Sequence, residues 1–253
     1  MAAHAAQLSL ADVSATHAAP HKPTMPKKAK NDLIEESLRV DHLVYGVPGR
    51  LDDADADFER RTGVKPLVGG AHPNLGTHNC LVALGGGAYF EILSRDPAQP
   101  DPPRLWMGME SLDGPTMLTW ATWCDRGGEM AATVSKARAA GYDPGDVEDF
   151  SRAKPDGSVL RWSLSYRHYT RAQMGPGAGI VPFLIDWKGA ATPAATAPTG
   201  CELVALRAEA VDVDAVAQHL RALGIEPSDM QLQKGPADRL VATLSTPRGL
   251  VEF

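Results

Sequence analysis

Three helix-like stretches of this chain end on the same device, a glycine followed three residues later by proline. The markers are Gly63-Val-Lys-Pro66, Gly141-Tyr-Asp-Pro144 and Gly224-Ile-Glu-Pro227. The segments ahead of them, DADFERRTG, TVSKARAAG and VAQHLRALG, are also alike. A glycine just past a helix accepts the left-handed conformation that closes its last turn, and a proline soon after prevents the helix from restarting. The markers lie 78 (141 − 63) and 83 (224 − 141) residues apart. Spacing of this kind is that of a copied supersecondary unit. The expectation is three units, each with a helix feeding extended chain.

The strands around each marker complete the unit. RVDHLVYGV at 39–47 is β-branched and stops at Pro48-Gly49, which predicts a strand. LDDADADFERRTG carries Leu51, Ala54 and Phe58 on helical spacing, with aspartates in its first turn. A short strand at Lys65–Val68, then THNCLVALGG and GAYFEILSR around Gly85–Gly87, give β-α-β-β-β. Those glycines join two strands and so form a turn, whereas a phosphate loop needs a helix after it. Residues 116–187 repeat the order with MLTWATWCD, a helix over GGEMAATVSKARAAG, a hairpin about Pro155-Asp-Gly157 and GIVPFLIDW. Residues 189–200 (GAATPAATAPTG) read as an Ala/Pro-rich linker, and 201–253 as a third copy. Residues 1–38 lack periodic apolar positions and read as a disordered tail. An organelle-targeting reading is weak there because the segment has no arginine.

Composition bounds the function classes. The chain has 253 residues, 43% hydrophobic, and a formal net charge of −6. That argues against whole-chain nucleic-acid binding. No apolar run reaches the roughly 18 residues of a membrane span. Three widely spaced cysteines, Cys80, Cys124 and Cys201, form no CxxC pair, which favours a reducing, cytoplasmic setting. Cys80 and Cys124 read as buried thiols.

Counting from the markers aligns the closing strands. Glu91 and Glu252 each follow their glycine by 28 residues (91 − 63 and 252 − 224), while Asp186 follows Gly141 by 45 (186 − 141). An acid in an apolar strand faces solvent by alternation, or else needs a partner, because burying a lone carboxylate costs several kcal/mol. His42 in the opening strand supplies a partner for Glu91. An imidazole and a carboxylate brought together suit a divalent cation such as Zn, Fe, Mn or Ni. His78 begins a strand; it reads as a ligand, as a general base, or as a ring that fixes a loop. His72, before Pro73, reads as an exposed loop residue. His168 and His219 read as surface or half-buried. Arg152, Arg161 and Arg167 flank one hairpin and could take a carboxylate or phosphate. Trp120, Trp123, Trp162 and Trp187 read as core or pocket wall. No serine elbow with a placed histidine is present.

Tandem βαβββ copies with His in a first strand and Glu in a fourth resemble the vicinal oxygen chelate superfamily of glyoxalases, extradiol dioxygenases and bleomycin-resistance proteins. The segments DHLVYGVP, HPNLGTHN, GAYFEIL, SRAKPDGSVLRW and VPFLIDW resemble, more narrowly, its glyoxalase-like domain family. The resemblance implies an α+β fold in which residues 39–188 form a curved eight-stranded cup, with a third βαβββ module at 201–253. That module would pack on the cup or pair with its copy in a second chain as a homodimer. The resemblance also implies a metal held by His42, Glu91 and Asp186, although the second module's first strand offers Thr119 or Thr122 where His, Gln or Glu is expected. Glu91, His78 or Glu252 would be the base, and Arg152, Arg161, Trp120, Trp162 and Asn79 would meet a small-molecule substrate. The implied function is a metal-dependent lyase, isomerase or dioxygenase that stabilises an enolate and needs no organic cofactor. The alternative is a non-catalytic binding protein of the bleomycin-resistance type, or a cup filled by its own side chains.

Overall fold

In the computed structural model, which describes residues 38–103, 105–124, 130–153, 158–167 and 177–253, all three markers close a helix. Leu51–Thr62 (α1) ends at Gly63 with φ 81°, and the Gly63 N–H donates to the Glu59 carbonyl. Met130–Ala139 (α2) is followed by Gly141 at φ 90°, and Val213–Ala222 (α3) by Gly224 at φ 74°. A Cβ in this conformation would cost roughly 1–2 kcal/mol.

Module one contributes β1 (Val40–Gly46), β2 (Leu67–His72), β3 (Thr77–Gly85) and β4 (Ala88–Arg95). Module two contributes β5 (Thr116–Trp123), β6 (Val147–Ala153), β7 (Val159–Ser165) and β8 (Phe183–Asp186). They form one curled eight-stranded sheet in the order β2-β3-β4-β1-β5-β8-β7-β6. In each module the first strand pairs in parallel with the fourth, and β1 and β5 join the modules antiparallel.

Strand alternation divides the sheet into two faces. Leu43, Cys80, Val82, Phe90, Ile92 and Trp120 point to one face, where α1, α2 and the third module cover them in a single core. Val44, Leu93, Ala121, Leu164, Phe183 and Ile185 line the other, concave face. Burial pushes the Cys80 thiol up to about 12 and that of Cys201 to about 11, so both are inert packing groups.

The third module has the expected element order, with β9 (Glu202–Ala210), α3, β10 (Leu232–Lys234), β11 (Arg239–Thr246) and β12 (Gly249–Glu252). Its strands pair differently, in the order β10-β9-β11-β12. Here the first strand takes the second as its parallel neighbour, and the fourth strand is an edge. Glu252 therefore does not occupy the slot of Glu91, despite the equal count from the glycine. The module packs within its own chain. Phe253 lies 4.9 Å from Phe90 and 5.2 Å from Phe58, ring to ring, with the Arg61 guanidinium over its face.

The stretch 189–200 joins the two sheets but is not a loose tether. Pro198 accepts from the Ala83 N–H (2.8 Å), Thr192 donates to the Gly87 carbonyl (3.2 Å), and Ala197 is buried. Leu38, placed with the tail by composition, is fully buried in the core. The rest of that tail, the Pro155–Gly157 turn and His168 lie outside the described residues. Among the described residues, no helix is long and apolar enough to cross a membrane.

Candidate active site

The concave face of module one gathers the polar groups. On β4, Tyr89, Glu91 and Leu93 face the cup while Phe90 and Ile92 face the core. On β3, Asn79 and Leu81 share the cup side. On β1 a register shift between Val40 and His42 inserts Asp41 as an extra residue. A bulge of this kind re-aims side chains. It sets Asp41 beside His42, so that Nδ1 of His42 donates to Asp41 Oδ1 (2.7 Å). Asp41 Oδ2 accepts from the Trp187 indole N–H (2.8 Å), which ties this pair to the end of module two.

Glu91, 6% exposed, is the centre of the cluster. Its Oε1 accepts from Asn79 Nδ2 (2.5 Å) and lies 3.7 Å from His72 Nε2; its Oε2 lies 3.8 Å from His42 Nε2. His72 is buried too. Its Nδ1 is 2.9 Å from Thr77 Oγ1, and its Nε2 faces the Asn79 amide at 3.3 Å. Burial lowers the His72 pKa, against the pull of the Glu91 carboxylate, so the ring is neutral at neutral pH. The amide then donates to a lone pair on Nε2, and Nδ1–H donates to Thr77. Both imidazoles thus have Nδ1 held from behind and Nε2 turned toward the carboxylate. Tyr89 stacks on His42 (4.6 Å, 14°). Burial, with Asp41 and Glu91 adding to it, raises its phenol well above the ordinary value and keeps it protonated.

The other half of the cup is apolar and aromatic. Trp106, Phe150 and Trp162 lie nearly parallel in sequence, 5.9 and 6.1 Å apart, and Phe183 meets His42 edge-on at 5.4 Å. Arg152 on β6 lines the cup and donates to the Gly69 carbonyl on β2, bridging the two edge strands of the sheet.

Of the residues singled out in the sequence, the fold brings His42, Glu91, Asn79, Arg152 and Trp162 into this cup. His72 and Trp187 line it as well, whereas His78, Arg161, Trp120, Glu252 and Asp186 do not. His78 alternates with Asn79 and faces a groove with Arg95 and Asp96 on the far side. Arg161 alternates with the cup residues Leu160 and Trp162 and is exposed. Trp120 is buried in the core, its N–H donating to the Ile180 carbonyl (2.7 Å). Glu252 is exposed on the second sheet and paired with Arg207 (2.6 Å). Asp186 is exposed, and its carboxylate accepts from the Lys188 N–H.

The pairing gives the reason for Asp186. In module one Glu91 stands beside the first strand, opposite Val44, and in module two Phe183 stands beside the first strand, opposite Ala121. Module two therefore offers the cup a phenyl ring there, and Thr119 lies outside the cup lining.

His72 is the residue that sequence reasoning missed. It looked like loop because Gly69-Gly70 precedes it and Pro73 follows it. The available signal was the Pro73-Asn74-Leu75-Gly76 turn, with Asn74 and Gly76 at φ 64° and 67°. That turn makes a hairpin and sets His72 opposite Thr77.

A half-barrel built from two βαβββ modules, with its polar groups on the concave face, is the architecture of the vicinal oxygen chelate superfamily. The model of the glyoxalase-like domain matches residues 40–226, most of the chain, and the chain belongs to that family. The comparison with curated proteins gives no match. Among solved structures, a hypothetical protein from Staphylococcus aureus is similar at 13% identity and a TM-score of 0.59, covering 85% of this chain and 98% of that one. Methylmalonyl-CoA epimerase from Mycobacterium tuberculosis is 16% identical, with a TM-score of 0.34 and coverage of 59% and 87%. A Streptomyces coelicolor methylmalonyl-CoA epimerase in complex with 2-nitronate-propionyl-CoA is 14% identical, with a TM-score of 0.37 and coverage of 61% and 98%. The first likeness speaks to fold alone, and the two epimerase likenesses are too slight to carry an argument.

Proposed function

We propose that the chain is a small-molecule enzyme of the lyase or isomerase kind, in which Glu91 removes a proton from a carbon beside a carbonyl group. The observation that carries this reading is the burial of Glu91 between two imidazoles and an amide. A packing role would be filled more stably by leucine, since a buried carboxylate costs several kcal/mol before its partners offset it. Here every partner is itself held by another group. His42 is braced by Asp41 and Trp187, and His72 by Thr77. Such bracing fixes reacting groups in position and is wasted on a mere core.

The family implies a divalent cation. Among the described residues, no group of three or more His, Cys, Asp or Glu side chains is placed to hold a metal ion. The chemistry of the donor set nevertheless fits one. The Nε2 atoms of His42 and His72 lie 3.8 and 3.7 Å from the carboxylate, too far for hydrogen bonds to it, and an ion would displace the Asn79 amide from the His72 Nε2 lone pair. Outer partners on Nδ1 are the usual support of metal-bound histidine. In this proposal the side chains of His42, His72 and Glu91, all from module one, would close up around the ion. When bound, the ion supplies Lewis acidity to the substrate carbonyl. Glu91 accepts the proton, the C–H electron pair passes into the enolate, and the closed apolar wall excludes water. The protonated Tyr89 is the donor this reading assigns to the developing oxyanion.

The test is solvent exchange. Incubated in D2O with carbonyl compounds bearing an adjacent C–H, the protein should catalyse deuterium uptake, and Glu91→Gln should lower it at least about 100-fold. Uptake unchanged by Glu91→Gln would refute the assignment. The donor set favours one further branch. Two histidines and one carboxylate are also the composition that supports oxygen chemistry on ferrous iron. Oxygen consumption by the iron-loaded protein would assign it to the dioxygenases.

A further inference from the structure

The walls of the cup define what kind of molecule Glu91 would meet. The enclosed space is small, about 40 Å³, which restricts it to a compact ligand. Trp106 and Trp162 line it, backed by Phe150, whose ring lies within 14° and 16° of theirs. Parallel faces of this kind receive a flat ring better than a branched aliphatic group. Arg152 is the only Lys or Arg among the described residues that line this space. One of its N–H groups reaches the Gly69 carbonyl, and the rest have no hydrogen-bond partner among the described residues. A half-buried guanidinium with spare donors beside an aromatic wall is a seat for an oxyanion. Trp106 adds a donor: its indole N–H is buried with no acceptor among the described residues. Glu91 lines the same cup, and its carboxylate would repel an anion placed beside it.

We propose that the cup takes a small planar aromatic anion, with its ring on the wall of Trp106 and Trp162, its carboxylate on Arg152, and an adjacent carbon presented to Glu91. The orientation rests on the reading of Glu91 as the reacting group; the choice of ligand rests on the wall and Arg152 alone.

Phenylacetate is the probe, titrated by calorimetry into chelator-treated protein so that neither metal nor turnover enters. Acetate, which lacks the ring, should bind at least about 30-fold more weakly, as expected for burying one phenyl group. Phenylacetamide, which lacks the charge, should lose at least about tenfold. Arg152→Met should weaken phenylacetate about tenfold or more and leave phenylacetamide unchanged, and Arg152→Lys should recover part of the loss. Trp106→Leu should weaken both aromatic probes, and circular dichroism checks that each variant folds. Equal affinity for acid and amide, or indifference to Arg152→Met, would overturn the proposal. So would tighter binding of cyclohexylacetate than of phenylacetate, or a preference for a bulky acyl thioester. Because no chemistry is read, such a failure would leave Glu91-dependent exchange standing. Conversely, loss of exchange with these affinities intact would refute only the catalytic reading.

Discussion

Glu91 and its neighbours are built against stability. Replacing the buried carboxylate by the isosteric amide in Glu91→Gln removes a charge that the apolar cup disfavours. We predict that it raises the free energy of unfolding by about 1 kcal/mol while abolishing exchange. Urea denaturation checks the first effect; a destabilised variant would mean that Glu91 is mainly structural. Asp41 acts through His42. Asp41→Asn should weaken divalent-ion binding about 10- to 100-fold, the usual effect of losing a carboxylate behind a ligating histidine. Titration of Zn²⁺ or Mn²⁺ reads this directly, and unchanged affinity would contradict it. At this scale His42 and Glu91 were legible, because a histidine and an acid at the first and fourth strands stand out in apolar surroundings. Asp41 and His72 were not. One depends on a bulge that a period-two pattern does not show, and the other on a turn that was read as loop.

At the scale of elements, the glycine–proline markers gave the helix ends correctly, because left-handed backbone and a missing N–H act locally. They failed as a ruler for strands. The hairpin of module two is longer, so counting from Gly141 selected Asp186, whereas the pairing of β8 with β5 puts Phe183, opposite Ala121, on the cup face. In the third module the count agreed and still misled, because equal length does not fix which strands pair. The module shares the main core, and Phe253 adds an aromatic clasp to it. Phe253 packs on Phe58 and Phe90 under Arg61, and its backbone exchanges two hydrogen bonds with Ala242 (2.9 and 3.1 Å). Phe253→Ala should therefore cost about 2 kcal/mol. Leu250→Ala, at a side chain 72% exposed, should stay within about 0.5 kcal/mol. Equal effects in denaturant titrations would mean that the aromatic cluster is not the clasp.

At the scale of the whole molecule, two sheets share one core, and the join carries a titratable group. His219 on α3 lies against Tyr142 (4.7 Å between rings), with Arg167 and Asp212 as the charges acting on it. Burial, helped by Arg167 and opposed by Asp212, lowers its pKa. A histidine held neutral in the folded state contributes stability above its unfolded pKa, near 6.5. That contribution is lost as the pH falls through the lower, folded value. The melting temperature of the protein should therefore drop more between pH 7.5 and 5 than that of His219→Gln; identical drops would contradict this. The central claim concerns the paired modules. Both build the cup, and in the proposed reading module one alone holds the reacting groups, while Trp106, ahead of β5, and Trp162 of module two supply the wall. Calorimetric titration with Zn²⁺ tests it most directly. One ion should bind per chain, be lost in His42→Ala, His72→Ala and Glu91→Gln, and be retained in Asp186→Ala and Glu252→Ala. Binding that survives His72→Ala, or that disappears in Asp186→Ala, would contradict the account.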